Sequence, residues 1–96
     1  MNSVTYIWDK NKNRLNHQKH KIWFNEAATV FDDENAIYSP DEEHSDYEER
    51  FIVIGMSRVP RLLMVCHCYK EDESVVRIIS ARRANKSEAE LYGGGK

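Results

Sequence analysis

The stretch Val75-Val76-Arg77-Ile78-Ile79-Ser80-Ala81-Arg82-Arg83 decides how the rest of the chain is read. Its β-branched, nearly unbroken apolar character predicts a strand covered on both faces, and hence a central place in a sheet. Side chains alternate along a strand, so Arg82 and Arg83 are expected to fan out to opposite sides of one rim. Guanidinium groups are planar, permanently charged forks that match phosphate oxygens, and two on one rim make a candidate phosphate site. The plainer reading is a pair of solvated arginines leading into a helix.

Upstream, Phe51-Ile52-Val53-Ile54-Gly55-Met56 and the segment Leu62 to Tyr69 are also predicted strands. The turns Ser57 to Arg61, with Arg58, Pro60 and Arg61, and Lys70 to Ser74 are too short for a parallel crossover. The three strands should therefore form an antiparallel meander. Val4 to Trp8 reads as a short strand. Asp9 should then cap a mostly polar helix through Lys19, in which Leu15 is the one apolar residue. Asn25 is placed as the cap of a second helix ending at Asp32 or Asp33, with Ala27, Ala28, Val30 and Phe31 as its buried stripe. Asn35 to Ser39 is a further short strand stopped by Pro40, Asp41 to Glu49 is a loop, and Asn85 or Ser87 caps a last helix. The expected fold class is α+β: a small antiparallel sheet of three to four main strands, two N-terminal helices and one C-terminal helix. Residues 1–92 form one domain and 93–96 a flexible glycine-rich tail.

Ninety-six residues, 41% hydrophobic and 31% charged, suit one soluble domain with a single modest core. No apolar run approaches the roughly 20 residues of a membrane helix, and the first residues do not resemble a signal peptide, so a cytoplasmic protein is expected. Cys66-His67-Cys68 has cysteines one residue too close for a common zinc knuckle and no second ligand pair; reduced core cysteines are expected, with a zinc site on these three as the alternative. The net charge is −2, yet nine of the 16 acids fall between Asp32 and Glu49, where Lys and Arg are absent. All 14 basic residues lie outside that window against seven acids, so a basic face can coexist with an acidic total.

Basic side chains gather at three element ends: Lys19, His20 and Lys21; Arg58 and Arg61; Arg82 and Arg83. Whether the Arg61 turn shares a rim with Arg82 stays open. If they converge, they offer what metal-free RNA cleavage needs. Attack of a ribose 2′-hydroxyl on its own 3′-phosphate requires a base near neutral pKa, cations for the gathering charge, and a proton for the leaving oxygen. His20 suits base or acid; Glu49 is another candidate for the proton transfer. A single His in a polar helix is ordinarily a surface residue, and His44 and His67 read as paired and packed. Trp8 and Trp23 read first as core, with base stacking as the alternative.

Taken in order, Trp8-Asp9-Lys10-Asn11-Lys12-Asn13, Lys19-His20, Phe24-Asn25-Glu26-Ala27-Ala28-Thr29-Val30-Phe31-Asp32-Asp33, His44-Ser45, Glu48-Glu49-Arg50-Phe51, Ile54-Gly55-Met56-Ser57 and Arg77-Ile78-Ile79-Ser80-Ala81-Arg82-Arg83-Ala84 resemble the BrnT family. These are small ribonuclease toxins of bacterial type II toxin–antitoxin pairs, related in fold to RelE, and the likeness runs from about Tyr6 to Tyr92. The resemblance implies RNA as substrate, inhibition of translation and growth, and no metal or other cofactor. It further implies neutralisation by a ribbon-helix-helix antitoxin in a toxin–antitoxin heterotetramer, operator DNA contacted only through the antitoxin, and no membrane role. It carries the active surface onto Lys19, His20, Glu49, Arg82 and Arg83, and less firmly onto Arg61 in its variable turn; with the basic clusters read above, the expected site has His20, Glu49, Arg61, Arg82 and Arg83 as catalytic residues and Lys19, Lys21 and Arg58 binding RNA. The chain departs from the pattern at Lys21, where glycine is usual, at Trp23, where a small polar residue is common, and at Ser87-Glu88-Ala89-Glu90, usually more basic. The last of these departures, together with the acidic total, favours one rival: a toxin-like module without catalysis, serving as antitoxin partner and co-repressor.

Overall fold

β-Branched segments punctuated by short polar turns form the expected meander in the computed structural model, which describes residues 3–94. The strands are β3 (Phe51–Met56), β4 (Leu62–Lys70) and β5 (Val75–Arg83). Val53 pairs with Val65, and Val65 with Ala81, all antiparallel. Two short strands complete the sheet: β1 (Thr5–Ile7) and β2 (Ile37–Pro40). The order is β1-β5-β4-β3-β2. The sheet thus has one strand more than expected, and it is mixed, because β1 runs parallel to β5 over Thr5↔Val75 to Ile7↔Arg77. The middle strand is β4, not the Val75–Arg83 strand. β5 has a strand on its outer side only along its first residues, since β1 is three residues long.

Helix α1 (Lys10–His20) starts at Asp9, whose carboxylate accepts from Lys12 N at 2.9 Å, as its sequence position predicts. Helix α2 is only Phe24–Ala28 and continues as a 3₁₀ turn, Thr29–Asp32. Its N-cap is Trp23, with no side-chain cap bond, and Asn25 lies inside the helix. Helix α3 (Lys86–Gly94) opens with a reciprocal cap: Asn85 Oδ1 accepts from Glu88 N at 2.8 Å, and Glu88 Oε1 from Asn85 N at 2.9 Å. It takes in Gly93 and Gly94 of the expected tail; Gly95 and Lys96 lie outside the described residues.

The core lies between one sheet face and the N-terminal helices. Ile22, Phe24, Ala27 and Val30 meet Val53, Leu63, Val65, Val76, Ile78 and Ala81. Gly55 permits this approach, for a Cβ there would stand 2.8 Å from Val30 Cγ1. Helix α1 is held differently from expectation. Leu15 is 47% exposed and Asn16 only 8%. Asn13 accepts from Phe24 N at 2.7 Å, and the Asn16 amide donates to Ile22 O and Ala81 O while accepting from Ala81 N. Asn16 thereby satisfies both backbone groups of Ala81 on the edge that β1 is too short to reach.

On the other face, the acidic segment covers one end of the sheet. Glu48 pairs with Arg77 at 2.6 Å, and the Cys66 thiol points at Asp41, 3.7 Å away. Burial and the Asp41 carboxylate push the Cys66 thiol up to about 11. His67 alternates to the helix face, edge-on to Phe31, so it cannot join Cys66 and Cys68 on one ion. This overturns the zinc alternative.

Candidate active rim

A β-bulge decides which way the two arginines point. Cys66 faces Ser80 but His67 faces Ile78, leaving Ile79 as the extra residue in β5. Past it the alternation is reset: Ala81 joins Val76 and Ile78 in the core, so Arg83 follows on the helix side and Arg82 on the other. Their neighbours agree with this split. Arg82 forms a two-pronged pair with Glu88 of α3, both bonds 2.9 Å. Arg83 is exposed and close enough to Glu26 of α2 to stabilise its charge. No ion pair engages Arg83 among the described residues.

His20 ends α1 one turn beyond Asn16, on the same helix face. Because Asn16 is clamped to Ala81, His20 is delivered to the end of β5. Burial first, then the positive charges of Lys19 and Arg82, hold its pKa below the ordinary histidine value. The imidazole is therefore neutral at neutral pH and available to accept a proton. Lys21 follows in a left-handed conformation, φ 62°, where the family pattern has glycine. Lys19 and Lys21 are both exposed.

The turn after β3 joins the same rim, because Leu63 faces Arg83 and Ala84 N donates to Leu62 O at 3.0 Å. Arg61, however, is engaged. Its Nε and Nη2 donate to Glu26 at 2.8 and 2.6 Å, and Nη2 also donates to Lys21 O at 3.1 Å. Glu26 accepts from Ser57 Oγ as well, at 2.8 Å, and its pKa is lowered chiefly by the Arg61 hydrogen bonds. Arg61 thus ties the turn to α2 and to the residue following His20. Arg58 points outward, its Nη2 3.9 Å from Asp32 on an exposed pair.

Glu49 is elsewhere. It precedes Phe51, which faces His67 and through it Ile78, so Glu49 lies toward the far end of the sheet, near Tyr69 and Lys70. A strand rises about 3.3 Å per residue, which puts Glu49 roughly 20 Å from Arg82 along the sheet. The expectation that Glu49 joins the arginines is corrected by strand register, which adjacency in sequence cannot reveal. Sequence reading missed four residues that organise the rim: Asn13, Asn16, Glu26 and Glu88. Asn13, Asn16, His17 and His20 do follow the i, i+3, i+4, i+7 spacing of a packed helix face, written in polar residues.

Fold and rim together define a small α+β protein with a histidine and several cations at one rim of its sheet. The chain belongs to the BrnT family: the model for the ribonuclease toxin BrnT of type II toxin–antitoxin systems matches residues 8–88. It is accordingly a ribonuclease toxin whose target is RNA and whose partner is an antitoxin. The fold is that of the Brucella abortus ribonuclease toxin BrnT, known from a crystal structure at 1.1 Å. The two share 23% identity and superpose with a TM-score of 0.67 over 88% of this chain and 100% of that one. No curated protein matches the chain. Among the described residues no helix is long and apolar enough to cross a membrane.

Proposed function

We propose that RNA is cleaved without a metal at the rim where α1, β5 and the turn after β3 meet. The observation that carries this reading is the clamp of Asn16 on Ala81, which brings His20 to the end of β5 where burial and the charges of Lys19 and Arg82 lower its pKa. A neutral base beside a fixed cation suits abstraction of a 2′-hydroxyl proton next to a phosphate. Arg83 and Arg82 bind the scissile phosphate and stabilise the charge gathering on its oxygens, while Lys19, Lys21 and Arg58 meet flanking phosphates. Arg61 acts as a positioning residue: bonded to Glu26 and Lys21 O, it sets the end of α1 and so His20. Glu49 has no part in this chemistry. The 2′-oxygen displaces the 5′-oxygen from phosphorus, His20 keeps the proton it has taken, and the departing 5′-oxygen is protonated by solvent, giving a 2′,3′-cyclic phosphate and a 5′-hydroxyl.

The resemblance extends the reading to a ribbon-helix-helix antitoxin, a heterotetrameric complex that meets operator DNA through the antitoxin, a single functional domain over residues 1–92, and action in the cytoplasm. The test is cleavage of a defined RNA in excess chelator. Wild-type protein should cut it and leave cyclic phosphate ends; His20→Ala and the double variant Arg82→Ala with Arg83→Ala should each lose most activity. Full cleavage by either, or none by the wild type until a divalent ion is restored, overturns the assignment.

A further inference from the structure

Trp23 is not core, although its neighbours Ile22 and Phe24 are fully buried. Its indole is 45% exposed and lies flat on the His17 imidazole, ring centroids 3.9 Å apart and planes within 8°. The backbone around it is fixed: Trp23 O accepts from Glu26 N and Ala27 N, both at 3.1 Å, as the first carbonyl of α2. The side chain makes no capping bond, so the helix start does not require an indole.

The stack adjoins the rim. His17 and His20 are three apart on α1, a spacing that puts side chains about 5–6 Å from each other on a helix, and Lys21, the residue that ends it, folds its ammonium back onto Gln18 O at 3.2 Å. Lys21 O, two residues before Trp23, is also the carbonyl that Arg61 holds. A large flat aromatic surface, exposed on one side and backed on the other, on a segment that also carries the exposed Lys19 and Lys21, is the combination that proteins present to unpaired bases. Because His17 already fixes the ring, little rotamer freedom remains to be lost when a base arrives.

We propose that the open face of Trp23, backed by His17, is a stacking subsite for an unpaired nucleobase next to the cleaved phosphodiester. This rests on the RNA-cleaving reading above and adds the feature of the RNA that the protein grips besides its phosphates. Any base has a stacking face, so the subsite selects single-stranded over paired RNA more than one base over another.

The probe is a 2′-O-methyl hexa-adenylate, which lacks the attacking hydroxyl, compared with the same backbone carrying abasic residues. In a Trp8→Phe background, Trp23 is the sole tryptophan, and its emission should be quenched saturably by the hexa-adenylate and far less by the abasic strand. With a fluorescein label at the 3′ end, anisotropy should show the abasic strand binding roughly fivefold more weakly or worse. Trp23→Leu should erase that difference, and Trp23→Phe should restore part of it. Equal affinity for both strands, or saturable binding that leaves Trp23 emission unchanged, overturns the subsite. Both observations use the Trp23-bearing chain, so neither depends on the leucine variant folding. Binding of neither strand also overturns it; if the wild type then leaves RNA intact as well, the ribonuclease reading has failed separately.

Discussion

At Asn16 a single amide does the work of a missing strand residue, pairing with Ala81 N and O and with Ile22 O at once. Asn16→Leu keeps the volume and strands three backbone groups away from water, so unfolding in urea should show a loss of roughly 2–4 kcal/mol. Leu15→Gln, at the one apolar residue of the helix and itself exposed, should change stability by less than about 0.5 kcal/mol. His20 carries a different prediction. A base works unprotonated, so a lowered pKa moves the acid limb of the kcat/KM profile to lower pH, below about 6.5. Lys19→Ala removes one of the charges responsible and should shift that limb upward; a limb that ignores this change would remove His20 from the base role.

Among the elements, α3 is docked largely through polar groups: Glu88 on Arg82, and the Tyr92 hydroxyl donating to Asp33 at 2.6 Å. Glu88 puts a carboxylate where the proposed chemistry needs a phosphate. Glu88→Ala should therefore tighten RNA binding and lower KM several-fold, while the lost cap and a partly solvated ion pair cost about 1 kcal/mol of stability. Gel-based cleavage rates together with a thermal melt separate the two effects. Elements written in local chemistry were legible in the sequence: the alternating β3 to β5 meander, the Asp9 cap, and Asn85 as the start of the last helix. What depended on distant register was not. The bulge at Ile79 that turns Arg83 and not Arg82 toward the helices, the outer place of β5, and the far position of Glu49 follow from pairings between residues remote in sequence. Helix α1 misled because its packed face is built of asparagine and histidine, which composition reads as solvent-facing.

For the molecule as a whole, a net charge of −2 conceals a division into two ends. The carboxylates of the 41–49 segment cover the sheet face near Arg77, and the cations of α1 and β5 gather at the opposite rim. Binding should therefore be strongly salt-dependent despite the acidic total. If Lys19, Lys21, Arg82 and Arg83 each meet one phosphate, a plot of log K against log salt for single-stranded RNA should slope at about −3. A slope near zero would show that the cations do not engage the backbone.

The pairing of Thr5 with Val75, and of Asn16 with Ala81, has a consequence for synthesis. The first strand and the helix bearing His20 find their places only after the last strand exists, so a nascent chain emerging from the ribosome has no assembled rim until most of it is translated. A copy still attached to its ribosome therefore lacks the assembled rim, whatever that rim does once the chain is released.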